Sequence, residues 1–149
     1  MYYSKCNVGY VLRLETGEEI QETLRSFAEH VELRGAFYQG IGSLSRAELC
    51  FYRPQELCAE RVFLEEEHEL IFLMGNLSVL DDMPAPHSHA CLSDRNHRTI
   101  AGHLLSGLIS VTAEILVTVL DLPLIRKEDP LLKFKALSPP RPSRLKIHF

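Results

Sequence analysis

The sequence predicts an α/β chain of the α+β kind, a single domain with one or two helices packed on a largely antiparallel sheet of seven or more strands. Three observations carry this expectation. Only one stretch, about residues 17–32, spaces its apolar residues as a helix does. Most of the remaining chain consists of β-branched and apolar runs separated by glycine, proline or polar turns. Finally, 149 residues suffice for one sizeable core and hardly for two, and 46% hydrophobic with 24% charged residues is ordinary globular composition.

Residues 8–14 are β-rich and lead into Thr16-Gly17-Glu18-Glu19. Thr16 and Glu19 have the spacing of a capping box, in which each side chain satisfies a free backbone N–H at a helix start. Ile20, Leu24, Phe27, Ala28 and Val31 follow at helical spacing, with Glu22, Arg25 and Glu29 on the other side. Residues 36–41 and 48–52 read as strands around Gly40-Ile41-Gly42-Ser43, whose glycines suit a bulge or tight bend. A short strand over 60–64, a solvated acidic turn over 65–69 and an apolar strand over 70–80, interrupted by Gly75-Asn76, come next. Pro84 and Pro86 mark a loop. Residues 87–92 and 99–106 flank the polar turn Asp94-Arg95-Asn96-His97-Arg98, and 108–120 reads as a strand buried on both faces. Residues 1–125 form the domain in this reading. Residues 126–149 form a basic tail with Pro130, Pro139, Pro140 and Pro142, packing on the domain or on a neighbouring subunit.

Net charge is −4, and its distribution is uneven. Residues 121–149 carry seven Lys/Arg against three Asp/Glu, while residues 1–120 carry nine against seventeen. An acidic body is not the field of a general duplex-DNA binder, so any nucleic-acid contact falls to the basic tail. No run reaches the roughly 18 apolar residues of a membrane span, and no apolar secretory core follows Met1. Cys6, Cys50, Cys58 and Cys91 lack a CxxC pair or a framework, and read as reduced thiols in a cytoplasmic protein. The G-x-S-x-G, P-loop, G-x-G-x-x-G and H-E-x-x-H patterns are all absent, which removes the sequence support for serine-hydrolase, nucleotide-binding and zincin readings.

His87-Ser88-His89 is the most informative tripeptide. Alternation along a strand puts residues 87 and 89 on one side. A hairpin centred at Asn96 then sets His89 directly opposite His103, and opposed residues point to the same face. A slip of one residue would send His103 to the far side. In the expected register three imidazoles converge on one point. Three neutral histidines with an open position match catalytic zinc, and imidazole also suits nickel, copper and iron. His30, His68, His97 and His148 have no such arrangement. If the site does chemistry, Glu114 is the first candidate for its acid–base partner, as a lone carboxylate in an apolar strand whose pKa burial would raise. Glu48, beside Arg46, is the second. The alternative for both is a structural carboxylate paired with an arginine.

The chain resembles the plants-and-prokaryotes conserved domain, also described as a PD1-like DNA-binding domain. Gly40-Ile41-Gly42-Ser43-Leu44-Ser45-Arg46-Ala47-Glu48-Leu49 and Glu69-Leu70-Ile71-Phe72-Leu73-Met74-Gly75-Asn76-Leu77 carry the first half of the resemblance. His87-Ser88-His89-Ala90-Cys91-Leu92-Ser93-Asp94 and Gly102-His103-Leu104-Leu105-Ser106-Gly107 carry the second, and the ordered set spans about residues 5–125. The resemblance implies a highly bent antiparallel sheet, a homotrimer, and a metal, zinc foremost, at the H-x-H and G-H histidines. The fold it implies is also similar to that of acetolactate decarboxylase and of a zinc-dependent ester hydrolase. Plant relatives bind DNA through an AT-hook built on Arg-Gly-Arg-Pro; here Pro140-Arg141-Pro142 lacks the glycine and the second arginine. The first functional expectation is therefore a trimeric prokaryotic-type member, DNA-binding by resemblance, with a three-histidine metal site. The alternative is a metal-dependent enzyme, hydrolase or decarboxylase-like, acting on a small oxoacid or ester. A third possibility is a closed structural metal that clamps the hairpin.

Overall fold

Alternating apolar residues along successive runs assemble into one nine-stranded sheet in the computed structural model, which describes residues 1–53, 55–56, 58–131 and 133–138. The elements are β1 (Tyr2–Cys6), β2 (Gly9–Glu15), α1 (Ile20–His30), β3 (Ala36–Arg53), β4 (Cys58–Leu64), β5 (His68–Leu80), β6 (Met83–Ser93), β7 (Thr99–Val119), β8 (Ile125–Glu128) and β9 (Lys135–Ser138). The path through the sheet is β1-β2-β7-β3-β5-β8-β9, with β4 on β3 and β6 joining β5 to β7. Every pairing is antiparallel except β5 with β8. Because β3 and β6 each pair with both β5 and β7, these four strands form a closed circuit, and the sheet must bend strongly to accommodate it.

The strands expected on either side of Gly40-Ile41-Gly42-Ser43 are one continuous 18-residue strand, and those over 99–106 and 108–120 are one strand of 21 residues. Bulges let such long strands curve without breaking. The β3–β5 register shifts between Gly40 and Gly42, where the glycines predict a bulge, and β3–β7 shifts at three further places. The run over 108–120 is not buried on both faces. Ile109, Ala113, Ile115 and Val117 enter the core, whereas Val111 and Glu114 are exposed. An apolar run does not reveal that only one face of its strand is covered.

Helix α1 buries Ile20, Leu24, Phe27 and Ala28 against β6 and β7. Its cap differs from the expected box. Glu19 is the N-cap, its carboxylate accepting from the Glu22 N–H at 2.7 Å, while Thr16 Oγ1 donates to the Val111 carbonyl. The second Glu19 oxygen accepts from the Gly107 N–H at 2.8 Å, which ties the helix start to β7. Pro84 and Pro86 lie within β6 rather than in a loop. There β6 pairs only with β5, since its pairing with β7 begins at Ser88, and an unpaired edge tolerates proline.

The described part of the tail extends the sheet: β8 lies beside β5, and β9 pairs with β8. The division expected between 125 and 126 thus falls inside β8. Pro139, Pro140, Arg141, Pro142 and His148 lie outside the described residues. Among the described residues no helix is long and apolar enough to cross a membrane.

Gly75 of β5 has no room for a side chain. A Cβ there would sit 2.3 Å from both the Tyr38 hydroxyl and the His87 carbonyl oxygen. Gly75→Ala is therefore expected to cost about 1–3 kcal/mol through overpacking, read as a lower urea midpoint at unchanged m-value.

Candidate metal centre

The centre is made by one hairpin. Asp94 shapes its turn: Oδ1 accepts from the Asn96 and Arg98 N–H groups at 2.8 and 2.9 Å, and Oδ2 from Arg98 Nε at 3.0 Å. The strands leave this turn paired Ser93↔Thr99, Ala90↔Gly102, His89↔His103 and Ser88↔Leu104, the register that a hairpin centred on Asn96 predicts. Alternation then divides the side chains. Ser88, Ala90, Leu92 and Leu104 are buried beneath the helix, while His87, His89 and His103 project from the opposite face. One ligand atom from each imidazole lies within 4.8 Å of those of the other two. Ring centroids are 5.4, 4.9 and 5.4 Å apart for the pairs 87–89, 87–103 and 89–103.

A largely buried polar chain pins this register from the core side. Gln21 of α1 accepts from Ser88 Oγ at 2.8 Å and donates from Nε2 to the Leu104 carbonyl at 2.5 Å. Ser88 and Leu104 are cross-strand partners, so a single amide side chain bridges the two strands directly beneath the histidines. The Tyr38 hydroxyl, 2.5 Å from Ser88 Oγ, completes the chain. Tyr38 is 2% exposed, and burial pushes its phenol well above the usual range.

Burial, the Arg126 guanidinium and the other two imidazoles push His87 down to about 4. Burial, His89 and Arg126 lower His103 as well. Both are thereby held as neutral imidazoles, the form that ligates a metal. Arg126 comes from β8. It donates from Nε to Ser78 Oγ at 2.9 Å and from Nη2 to Asn76 Oδ1 at 3.0 Å, and Asn76 is the register partner of His87.

Residues 1–121 match the model of the Plants and Prokaryotes Conserved (PCC) domain. The chain belongs to this family. The PCC chain is similar to the crystal structure of a candidate DNA-binding protein from Ralstonia eutropha JMP134, with 27% identity, 93% of this chain and 96% of that one covered, and a TM-score of 0.87. It shares its fold with a metal-containing protein from Archaeoglobus fulgidus, at 22% identity, 93% and 99% coverage, and a TM-score of 0.81. Among curated proteins it is 33% identical over 146 residues to the bifunctional protein GlmU of Synechococcus sp. (strain JA-3-3Ab). That match takes in 91% of this chain and 22% of the relative, so the chain spans about a fifth of that protein's length.

Neither carboxylate considered as an acid–base partner is a member of the three-histidine group of this PCC domain. Among the described residues the group contains no Asp, Glu or Cys. Glu114 is exposed, opposite Arg13 and Ile41, and lines a cleft with Ser43, Glu69, Ile71 and Val111. The burial expected for it is absent because the outer face of β7 is uncovered there. Glu48 Oε1 accepts from Arg61 Nη1 at 2.9 Å, so it is a carboxylate paired with an arginine, although with Arg61 and not with the neighbouring Arg46. All four cysteines are free thiols. His30 contacts the Tyr3 hydroxyl, His68 the Glu66 carbonyl, and His97 occupies the hairpin turn.

Sequence reasoning missed Gln21, Asn76, Ser88 and Arg126. Asn76 left a trace, as a polar residue inside an apolar run, and Arg126 left none beyond the charge of the tail. Removing the Gln21 amide takes the acceptor from the Ser88 hydroxyl and a donor from the Leu104 carbonyl. Gln21→Ala is expected to destabilise by about 1–3 kcal/mol and to speed amide exchange selectively across the β6–β7 pairing, read by hydrogen–deuterium exchange.

Proposed function

We propose that this PCC-domain protein holds one divalent transition ion, zinc foremost, on His87, His89 and His103, and that the ion keeps a coordination position open to a small molecule. The observation that carries the reading is the convergence of three imidazoles with no fourth protein donor in their group among the described residues. The donor set fits: three neutral nitrogen ligands plus an exogenous fourth is a zinc arrangement, while a closed structural site requires four protein ligands. When bound, such an ion polarises a carbonyl or lowers the pKa of a water. The chain's own contribution is to keep His87 and His103 neutral and to hold the three imidazoles in register through Gln21 and Ser88. Glu114 and Glu48 lie outside the three-histidine group, so this reading gives neither an acid–base role. Metal analysis of untagged protein is expected to find about one equivalent per chain, lost in His89→Ala. Protein that stays metal-free after zinc is added and excess removed would end this reading.

DNA binding is the second reading. It is favoured by the description of the Ralstonia relative and by exposed Lys127, Lys133 and Lys135 on and between β8 and β9. Assembly as a homotrimer, which rests on the family resemblance, would present this patch three times and raise avidity for phosphates. Reversing the three lysines to glutamate should then weaken binding to a duplex oligonucleotide and flatten its salt dependence, measured by fluorescence anisotropy. Unchanged affinity and slope would remove this lysine patch as the DNA contact.

A further inference from the structure

Among the described residues, Arg126 is a cation without an anion. Its strand runs along the edge of β5, and the side chain reaches back over the sheet face that carries the histidines. Three neutral oxygens hold the guanidinium: Ser78 Oγ at 2.9 Å, Asn76 Oδ1 at 3.0 Å and the Lys135 carbonyl at 2.8 Å. Among the described residues no carboxylate pairs with it. Each bond uses a different nitrogen, so among the described residues one N–H on each terminal nitrogen is left over. Burial lowers the Arg126 pKa, yet a guanidinium keeps its proton in proteins. A partly buried, unpaired charge is costly, and here it is held in a fixed orientation rather than released to solvent.

The neighbouring side chains show what kind of anion would complete it. Along β5 the face reads Ser78, Asn76, Met74, Phe72, with His87 opposite Asn76 and His89 opposite Met74. The guanidinium covers the first two positions and the imidazoles stand beside the middle pair. Met74 and Phe72, 49% and 41% exposed, offer an apolar surface beyond. Imidazole side chains carry no negative charge and the group holds no carboxylate, so an ion on them and Arg126 beside them both await an anionic ligand.

We infer that Arg126 determines the specificity of the metal site, selecting small organic acids that carry a second oxygen donor next to the carboxylate, such as 2-oxo and 2-hydroxy acids. The inference rests on the metal reading above. The carboxylate takes the two spare N–H groups, the adjacent oxygen reaches the open position of the ion, and the carbon chain lies toward Met74 and Phe72. Inorganic phosphate could satisfy the charges but would gain nothing from the apolar side chains.

The test is calorimetric titration of the zinc-loaded full chain with pyruvate, methyl pyruvate and orthophosphate, using wild type, Arg126→Gln and Arg126→Lys. Pyruvate affinity is expected to fall about 10- to 100-fold in Arg126→Gln at equal zinc content, and to recover in part in Arg126→Lys. Methyl pyruvate, which lacks the charge, is expected to bind wild type more weakly than pyruvate does, a comparison that needs no variant to fold. Equal pyruvate affinity in wild type and Arg126→Gln, equal binding of acid and ester, no pyruvate binding to zinc-loaded wild type, or tighter binding of phosphate would each overturn the inference while leaving the metal reading intact. A wild-type chain that takes up no zinc would overturn both.

Discussion

The register of the β6–β7 hairpin is the constraint on which the site depends. With a side-chain period of two, a slip by one residue would exchange His103 for Gly102 or Leu104 opposite His89 and break the cluster. Asp94 sets that register at the turn, and Gln21 holds it again beneath the histidines. In the inner-face chain Tyr38 and Ser88 are buried, Gln21 is half-buried, and the three are mutually bonded, which makes it specific as well as stabilising: an alternative pairing would leave polar groups without partners in the core.

The two faces of the sheet accordingly have different tasks. The inner face, roofed by α1, contributes Leu12, Leu73, Leu92, Leu104 and Ile109 to a fully buried core. The outer face presents the imidazoles, Asn76 and Arg126 together with exposed apolar side chains. A rigid sheet is a better mount for such a constellation than a loop, because each outward side chain is aimed by the packing of its inward neighbours. Burial, and after it the Arg126 charge, also keep His87 neutral.

What was legible in the sequence was local. Strand parity at His87 and His89, the polar turn, and the apolar stripe of α1 depend on residues close together in the chain, and the Gly40–Gly42 bulge announced itself through glycine. What was illegible was non-local. Arg126 meets Ser78 and Asn76 across about fifty positions, and nothing in its surroundings marks it apart from the other basic residues of the tail. Glu114 misled because an apolar run looks the same whether one face of its strand is covered or both. The cap shifted from Thr16 to Glu19 because Thr16 found a partner on β7 instead, a competition decided by tertiary contact.

The closed circuit of β3, β5, β6 and β7 also bears on how the chain comes off the ribosome. The meander from β5 through β7 pairs neighbours in sequence and can form as it is made. Closure requires Ala36 to reach Val119, and β2 pairs Gly9 with Thr118, so the first strands wait for almost the last residues of β7. Such non-local pairing places the fold among slow topologies. Until synthesis passes residue 119, β2 and β3 lack their β7 partner and their open edges are exposed to pairing with another chain.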